Sequence, residues 1–178
     1  MENIIIGNAI SFLSAVCMAL SCCSKDVKKV FGYQFLECVL LALASCFFGT
    51  YAAVVTLILC ALRNIIIAAG KFTKPVMIIF TVAVAVCGFF VNNKGALGLL
   101  PVLATVEYTI CCYYVKSLKG TKVSILVNLL MWIIYSFIIF DFSTAVSDSI
   151  IAAVDITVVL KMMFREKENP DAVNTRVL

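Results

Sequence analysis

The chain has 178 residues, 63% of them hydrophobic and 13% charged, with a net charge of +4 and a mean hydropathy of +1.11. No soluble domain of this length has use for so much apolar surface, and the length leaves no room for two globular domains. The sequence has no histidine, so the commonest acid–base group and metal ligand is missing.

Apolar runs and their polar breaks predict seven membrane helices. The first covers residues 4–23. The residues before it, Met1-Glu2-Asn3, lack the basic region of a signal peptide, so a retained span is expected. Ser24-Lys25-Asp26-Val27-Lys28-Lys29 breaks the run, and span 2 covers residues 30–48. A tight turn at Gly49-Thr50-Tyr51 leads into span 3, residues 52–70. Lys71 to Lys74 form a loop, and Pro75 suits the first turn of span 4, residues 76–91. Asn92-Asn93-Lys94-Gly95 is a turn by composition. Span 5 covers residues 99–115 with Pro101 in its first turn, and a basic loop follows at residues 116–122. Spans 6 and 7 cover residues 123–140 and 144–164. Residues 165–178 are polar and read as a tail.

Nine cysteines all fall within or at the ends of apolar runs, with no C-x-x-C pair. They read as small apolar side chains, not as a zinc site. No phosphate-cradling loop or catalytic triad is visible. The expectation is therefore no enzyme, no cofactor, no metal and no nucleic-acid partner.

Loop charge sets the expected topology. Lys25, Lys28, Lys29, Lys71, Lys74, Lys116, Lys119, Lys122, Lys161, Arg165, Lys167 and Arg176 fall on one side, twelve of the fourteen basic residues. Lys94 alone falls on the other side, and Arg63 lies within a span. The positive-inside rule then puts the N-terminus outside and the C-terminus in the cytoplasm.

Two charges sit deep in the runs. Arg63 and Asp155 are each the twelfth residue of their apolar run. A charge there costs about 2.5–3.5 kcal/mol on the lenient insertion scale, so it normally faces a partner or a watery cavity. At about 1.5 Å of rise per residue they lie roughly 17 Å from the helix end, and Glu37 and Glu107 reach similar depth. Sliding the chain by 92–93 residues brings Lys29-Val30 onto Lys122-Val123 and Ala61-Leu62-Arg63 onto Ala153-Val154-Asp155. The fold expected is all-α: two parallel three-helix repeats, residues 1–70 and 96–164, joined by a linker helix within residues 71–95, with residues 165–178 a cytoplasmic tail.

Arg63 and Asp155 then form a central pair, with Asn64, Asn128 and Trp132 completing a substrate set and Glu37 and Glu107 available for a proton or cation. Two readings of the pair stay open: an ion pair that fixes the two units together, or a binding site. Asp141 and Asp148, close to the ends of spans 6 and 7, read as solvated loop charges.

The motifs Gly49-Thr50-Tyr51, Leu59-Cys60-Ala61-Leu62-Arg63-Asn64 and Leu99-Leu100-Pro101-Val102, with the span 7 stretch through Asp155-Ile156, resemble the bacterial inner-membrane YgjV family. The three-plus-one-plus-three layout resembles the SWEET and PnuC transporters. That resemblance implies a bacterial plasma-membrane carrier that takes a small polar metabolite between the two repeats and touches membrane lipids. The Pro-Gln pair of PQ-loop proteins is absent, and span 1 has no proline. Cys60 and Asp155 stand where the YgjV-like pattern tends to have Asn. Only Asn128 and Trp132 offer the Asn–Trp chemistry of a SWEET-like sugar site. The alternatives are a non-transporting scaffold, sensor or subunit, and an ion or proton channel built on the acids. Self-association as a homo-oligomer is left open, since one chain holds both repeats.

Overall fold

The computed structural model describes residues 1–24, 27–115 and 118–168, and all its regular structure is helical. In chain order these are α1 (Glu2–Cys23), α2 (Val27–Phe47), α3 (Tyr51–Ala68), α4 (Lys74–Val91), α5 (Leu100–Tyr114), α6 (Leu118–Ile138) and α7 (Phe142–Glu168), with a 3₁₀ turn at Gly95–Leu99 ahead of α5. Six of these segments are long and apolar enough to cross a membrane, and α6 contributes the shorter apolar stretch Lys122–Ile138. Pro75 and Pro101 fall in the first turns of α4 and α5, where a missing N–H breaks no helical bond.

The larger differences from the sequence reading fall at charged stretches: α2 already begins at Val27, inside the stretch read as a break. Helix α6 already begins at Leu118, inside the stretch read as a loop, and α7 continues to Glu168, into the stretch read as a tail. Hydropathy marks where the bilayer ends, and a helix continues past that point while its charged turns reach water. The remaining tail, residues 169–178, lies outside the described residues.

The helices are apolar nearly all round, as membrane spans must be. Small residues carry the inward packing: Ala44, Ala52, Ala53, Ala61, Ala104 and Ala145 are buried. Their size lets helix backbones approach closely. The larger Ile, Leu, Val and Phe side chains point outward, as at Ile79, Phe90, Leu103 and Ile150.

The element boundaries recur at one constant shift. Cys23 and Tyr114 end α1 and α5, Val27 and Leu118 begin α2 and α6, Phe47 and Ile138 end them, and Tyr51 and Phe142 begin α3 and α7. Each pair is 91 residues apart. The turns repeat bond for bond. Gly49 N–H donates to Cys46 C=O and Thr50 N–H to Ser45 C=O; Phe140 N–H donates to Phe137 C=O and Asp141 N–H to Ser136 C=O. Both turns hold a left-handed residue at φ 64°, Gly49 in one and Phe140 in the other. This is the Schellman closure of a helix C-terminus, which glycine enters without strain and phenylalanine does not.

The true register is therefore 91, not 92–93. It places Asn64 opposite Asp155 and Arg63 opposite Val154. The two membrane charges are out of register by one position, and on a helix one position turns a side chain by about 100°.

Packing follows the same pattern. Helix α2 packs between α1 and α3, and α6 packs between α5 and α7. The two triplets meet along two seams, α3 on α5 and α1 on α7, which exchange under the shift of 91. The six helices form a closed ring. Helix α4 packs against α3 and α5 from outside it, with Gly88 set against Val102 of α5 and Thr56 of α3.

Candidate functional site

A cavity of about 100 Å³ lies inside the ring, lined by residues of all six ring helices and by none of α4. Its wall is built from equivalent positions of the two triplets. Gln34 and Ile125, Glu37 and Asn128, Cys38 and Leu129, Leu41 and Trp132, and Leu57 and Asp148 all line it, each pair 91 residues apart. The cavity thus sits where the two triplets meet.

Arg63 is its principal cation and is only 3% exposed. Its Nη1 donates to Thr109 Oγ1 at 2.9 Å, and its Nη2 and Nε donate to Asn64 Oδ1 at 3.1 and 3.4 Å. The guanidinium lies 5.1 Å from the centre of the Tyr108 ring, a cation–π distance. All of these partners are neutral. Among the described residues no carboxylate comes within 4.0 Å of the guanidinium.

Two carboxyls line the same cavity, Glu37 from α2 and Asp148 from α7. Among the described residues neither takes part in a hydrogen bond or an ion pair. Asn128 lines the cavity while its Nδ2 donates to the Ala104 carbonyl at 2.7 Å, and Trp132 stands edge-on to the buried Tyr135.

Of the residues singled out from sequence, Arg63, Asn64, Glu37, Asn128 and Trp132 come together here. Asp155 and Glu107 do not. Asp155 accepts from Lys122 Nζ at 2.6 Å, so its partner is a lysine of α6 and not Arg63. Asp155 is the counterpart of Asn64, which does line the cavity, but α6 supplies Lys122 within reach and that lysine holds it. Glu107 Oε1 accepts from Ser124 Oγ at 2.8 Å and Cys111 Sγ at 3.2 Å, while its Oε2 is buried without a partner. Ser124 and Cys111 belong to the wall of a second cavity of about 140 Å³, formed also by Phe31, Ile67, Cys112 and Val115. Tyr108 is the residue the two cavities share.

Two aspartates read as solvated loop charges are not. Asp148 lines the central cavity. Asp141 is 4% exposed; its Oδ1 accepts the Thr144 amide at 3.1 Å, and its Oδ2 accepts Thr144 Oγ1 at 2.8 Å and Ser11 Oγ at 2.9 Å. It caps the start of α7 and ties it to α1. Burial pushes the Asp141 carboxyl up from its ordinary value, against the hydrogen bonds from Thr144 and Ser11 that pull it down. A signal for both was present in the sequence: Asp141, Thr144, Asp148 and Asp155 recur at intervals of three, four and seven, which is one face of a helix.

Among the described residues no cluster of Cys, Asp and Glu is arranged to hold a metal ion. No curated protein and no solved structure matches the chain. A family model does, over residues 5–166, which takes in all seven helices. The chain belongs to the Imp-YgjV family of bacterial inner membrane proteins.

Proposed function

We propose that this inner membrane protein is a carrier for a small polar solute. The solute occupies the central cavity and crosses by alternating access, as the triplets α1–α3 and α5–α7 rock against each other with α4 as their linker. The observation that carries the proposal is the wall of the cavity: every ring helix contributes to it, five pairs of lining positions from α2, α3, α6 and α7 are related by one shift, and the helix outside the ring contributes nothing. A scaffold has no need of a charged cavity at its centre.

Within this reading Arg63 binds an anionic or carbonyl group, and Asn64, Asn128 and Trp132 shape the site around it. Glu37 keeps the proton or cation role, shared with Asp148 instead of Glu107. Asp155 is held by Lys122 and acts on the bundle, not on the solute. The carrier works without cofactor or chemistry on the solute, and one chain suffices. The proposed orientation, C-terminus in the cytoplasm and N-terminus outside, is supported by the loop charge of the sequence under the positive-inside rule.

The test is a thermal-shift panel of sugars, amino acids, nucleosides and vitamins on the purified chain, followed by flux into liposomes. A ligand of the native state raises the melting temperature with concentration. We expect one solute class to do so for the parent and not for Arg63→Ala, and the same class to enter proteoliposomes. A folded parent that neither responds to any class nor supports flux overturns the carrier reading in favour of a scaffold or subunit.

A further inference from the structure

We infer that the central cavity accepts a small zwitterion, an ammonium and a carboxylate on one short carbon frame, as in the smallest amino acids; this rests on the carrier reading above. Three observations converge on it.

The first is the unmatched charge on the wall. Arg63 is buried and engages only neutral groups: Thr109, Asn64 and the Tyr108 ring. A guanidinium carries five N–H donors, and Nη1, Nη2 and Nε account for one hydrogen bond each. Two donors are left for a ligand, which suits a carboxylate. Glu37 and Asp148 line the same space with no hydrogen bond or ion pair among the described residues. A buried charge without a counter-charge is strongly unfavourable; Arg63 is such a charge, and it shares the cavity with the half-buried Glu37 and Asp148 without an ion pair to either.

The second is that only a ligand with both signs matches both. A simple anion satisfies Arg63 and is repelled by Glu37 and Asp148. A simple cation satisfies the acids and is repelled by Arg63. A neutral polyol leaves Arg63 without a counter-charge. A zwitterion puts its carboxylate at Arg63 and its ammonium between Glu37 and Asp148, with the Trp132 ring on the same wall as a further surface for a cation.

The third is size. A cavity of about 150 Å³ takes benzene, with its six carbons. By that measure the 100 Å³ found here holds a ligand of about four or five non-hydrogen atoms. Glycine fits this range and alanine slightly exceeds it, while a hexose is more than twice too large.

The experiment uses the full chain in lipid nanodiscs, with thermal shift and calorimetric titration. The probes are glycine and L-alanine, against acetate, propionate, methylamine, ethylamine and glucose. Glycine or alanine is expected to stabilise the parent, and the singly charged analogues to bind roughly 30-fold more weakly or worse, because each strands a buried charge. Arg63→Gln is expected to abolish glycine binding. Asp148→Asn is expected to weaken glycine while leaving acetate unchanged or improved, which separates a lost ammonium contact from a misfolded protein. If acetate or methylamine binds as well as glycine, or if Asp148→Asn leaves glycine affinity unaltered, the zwitterion assignment is overturned. If glucose alone stabilises the protein and is transported, that assignment falls while the carrier reading stands. If no probe binds and no wider panel supports flux, both fall.

Discussion

Lys122 and Asp155 form an asymmetric pair: the lysine side chain is 30% exposed and the aspartate 7%. Removing the lysine strands a buried carboxylate, whereas removing the carboxylate leaves a lysine whose long stem can carry its ammonium toward water. Lys122→Met is therefore expected to lower stability by up to about 3 kcal/mol, and Asp155→Asn by clearly less. The double variant should recover part of the Lys122→Met loss, since no buried charge is then left alone. Thermal unfolding in mild detergent measures all three, and equal losses for the two single variants would show that Asp155 has water of its own.

Asp141 offers a second test at this scale, with a pH signature. Asp141→Ala removes the acceptor for the Thr144 amide and the link to Ser11, and is expected to lower stability by about 1–2 kcal/mol. Asp141→Asn keeps an acceptor and removes the charge. The Asp141 carboxyl is raised from its ordinary 3.8 by burial, so the folded state favours its neutral form. The stability this gives is complete below about pH 3.8 and is lost as pH rises through the folded value. Unfolding temperatures at pH 4 and pH 7 should show the Asn variant gaining on the parent as pH rises. Five of the seven residues singled out from sequence meet at the cavity; the reading of Asp141 and Asp148 as solvated differs from the structure for a local reason. Asp141 and Asp148 stand near a span end, where water is the default neighbour, and nothing in hydropathy says that the α6–α7 turn folds inward against α1. Lys122 looked like a loop residue because α6 begins four residues before it.

The elements were far more legible. A run of about 20 apolar residues can only be a helix in lipid, so all seven emerged from hydropathy, with errors confined to charged ends. The sequence reading set the recurrence at 92–93 residues, whereas the helix ends recur at 91. It was anchored on Arg63 and Asp155, whereas the constant feature is the Schellman turn, which is plain at Gly49 and hidden at Phe140, a residue that gives no sign of a positive φ. At this scale Tyr108 of α5 is the decisive side chain. It separates the central cavity from the second one, whose wall includes Val115 at the basic end of α5, and Arg63 lies over its ring. Tyr108→Ala is expected to join the two spaces. With Cys60 as the only cysteine, modification by a membrane-impermeant thiol reagent from the basic end should speed up at least tenfold, because a thiol reacts only where the reagent can reach it. An unchanged rate would place the barrier elsewhere.

At the scale of the molecule, the two triplets are clasped at the end opposite the basic loops. Asn8 of α1 donates from Nδ2 to the Phe140 carbonyl at 3.0 Å and accepts the Ser143 amide at 2.9 Å. Asn93, ahead of α5, donates from Nδ2 to the Gly49 carbonyl at 2.8 Å and accepts the Tyr51 amide at 3.3 Å. Asn8 belongs to the first triplet and reads the turn of the second, Asn93 belongs to the segment between α4 and α5 and reads the turn of the first, and Phe140 and Gly49 are equivalent positions. Ser11 on Asp141 reinforces one of the two seams. Under the proposed alternating access these clasps must break together, since opening one seam while the other holds would shear the ring. Asn8→Ala combined with Asn93→Ala is expected to raise the rate at which the single Cys60 thiol is labelled from this end, with each single change giving much less than half of the combined effect. Labelling from the basic end should fall or stay level, because the conformation that opens one end closes the other. A double variant that labels faster from both ends would mean a loosened bundle, and the rocking of two rigid triplets would not then describe this protein.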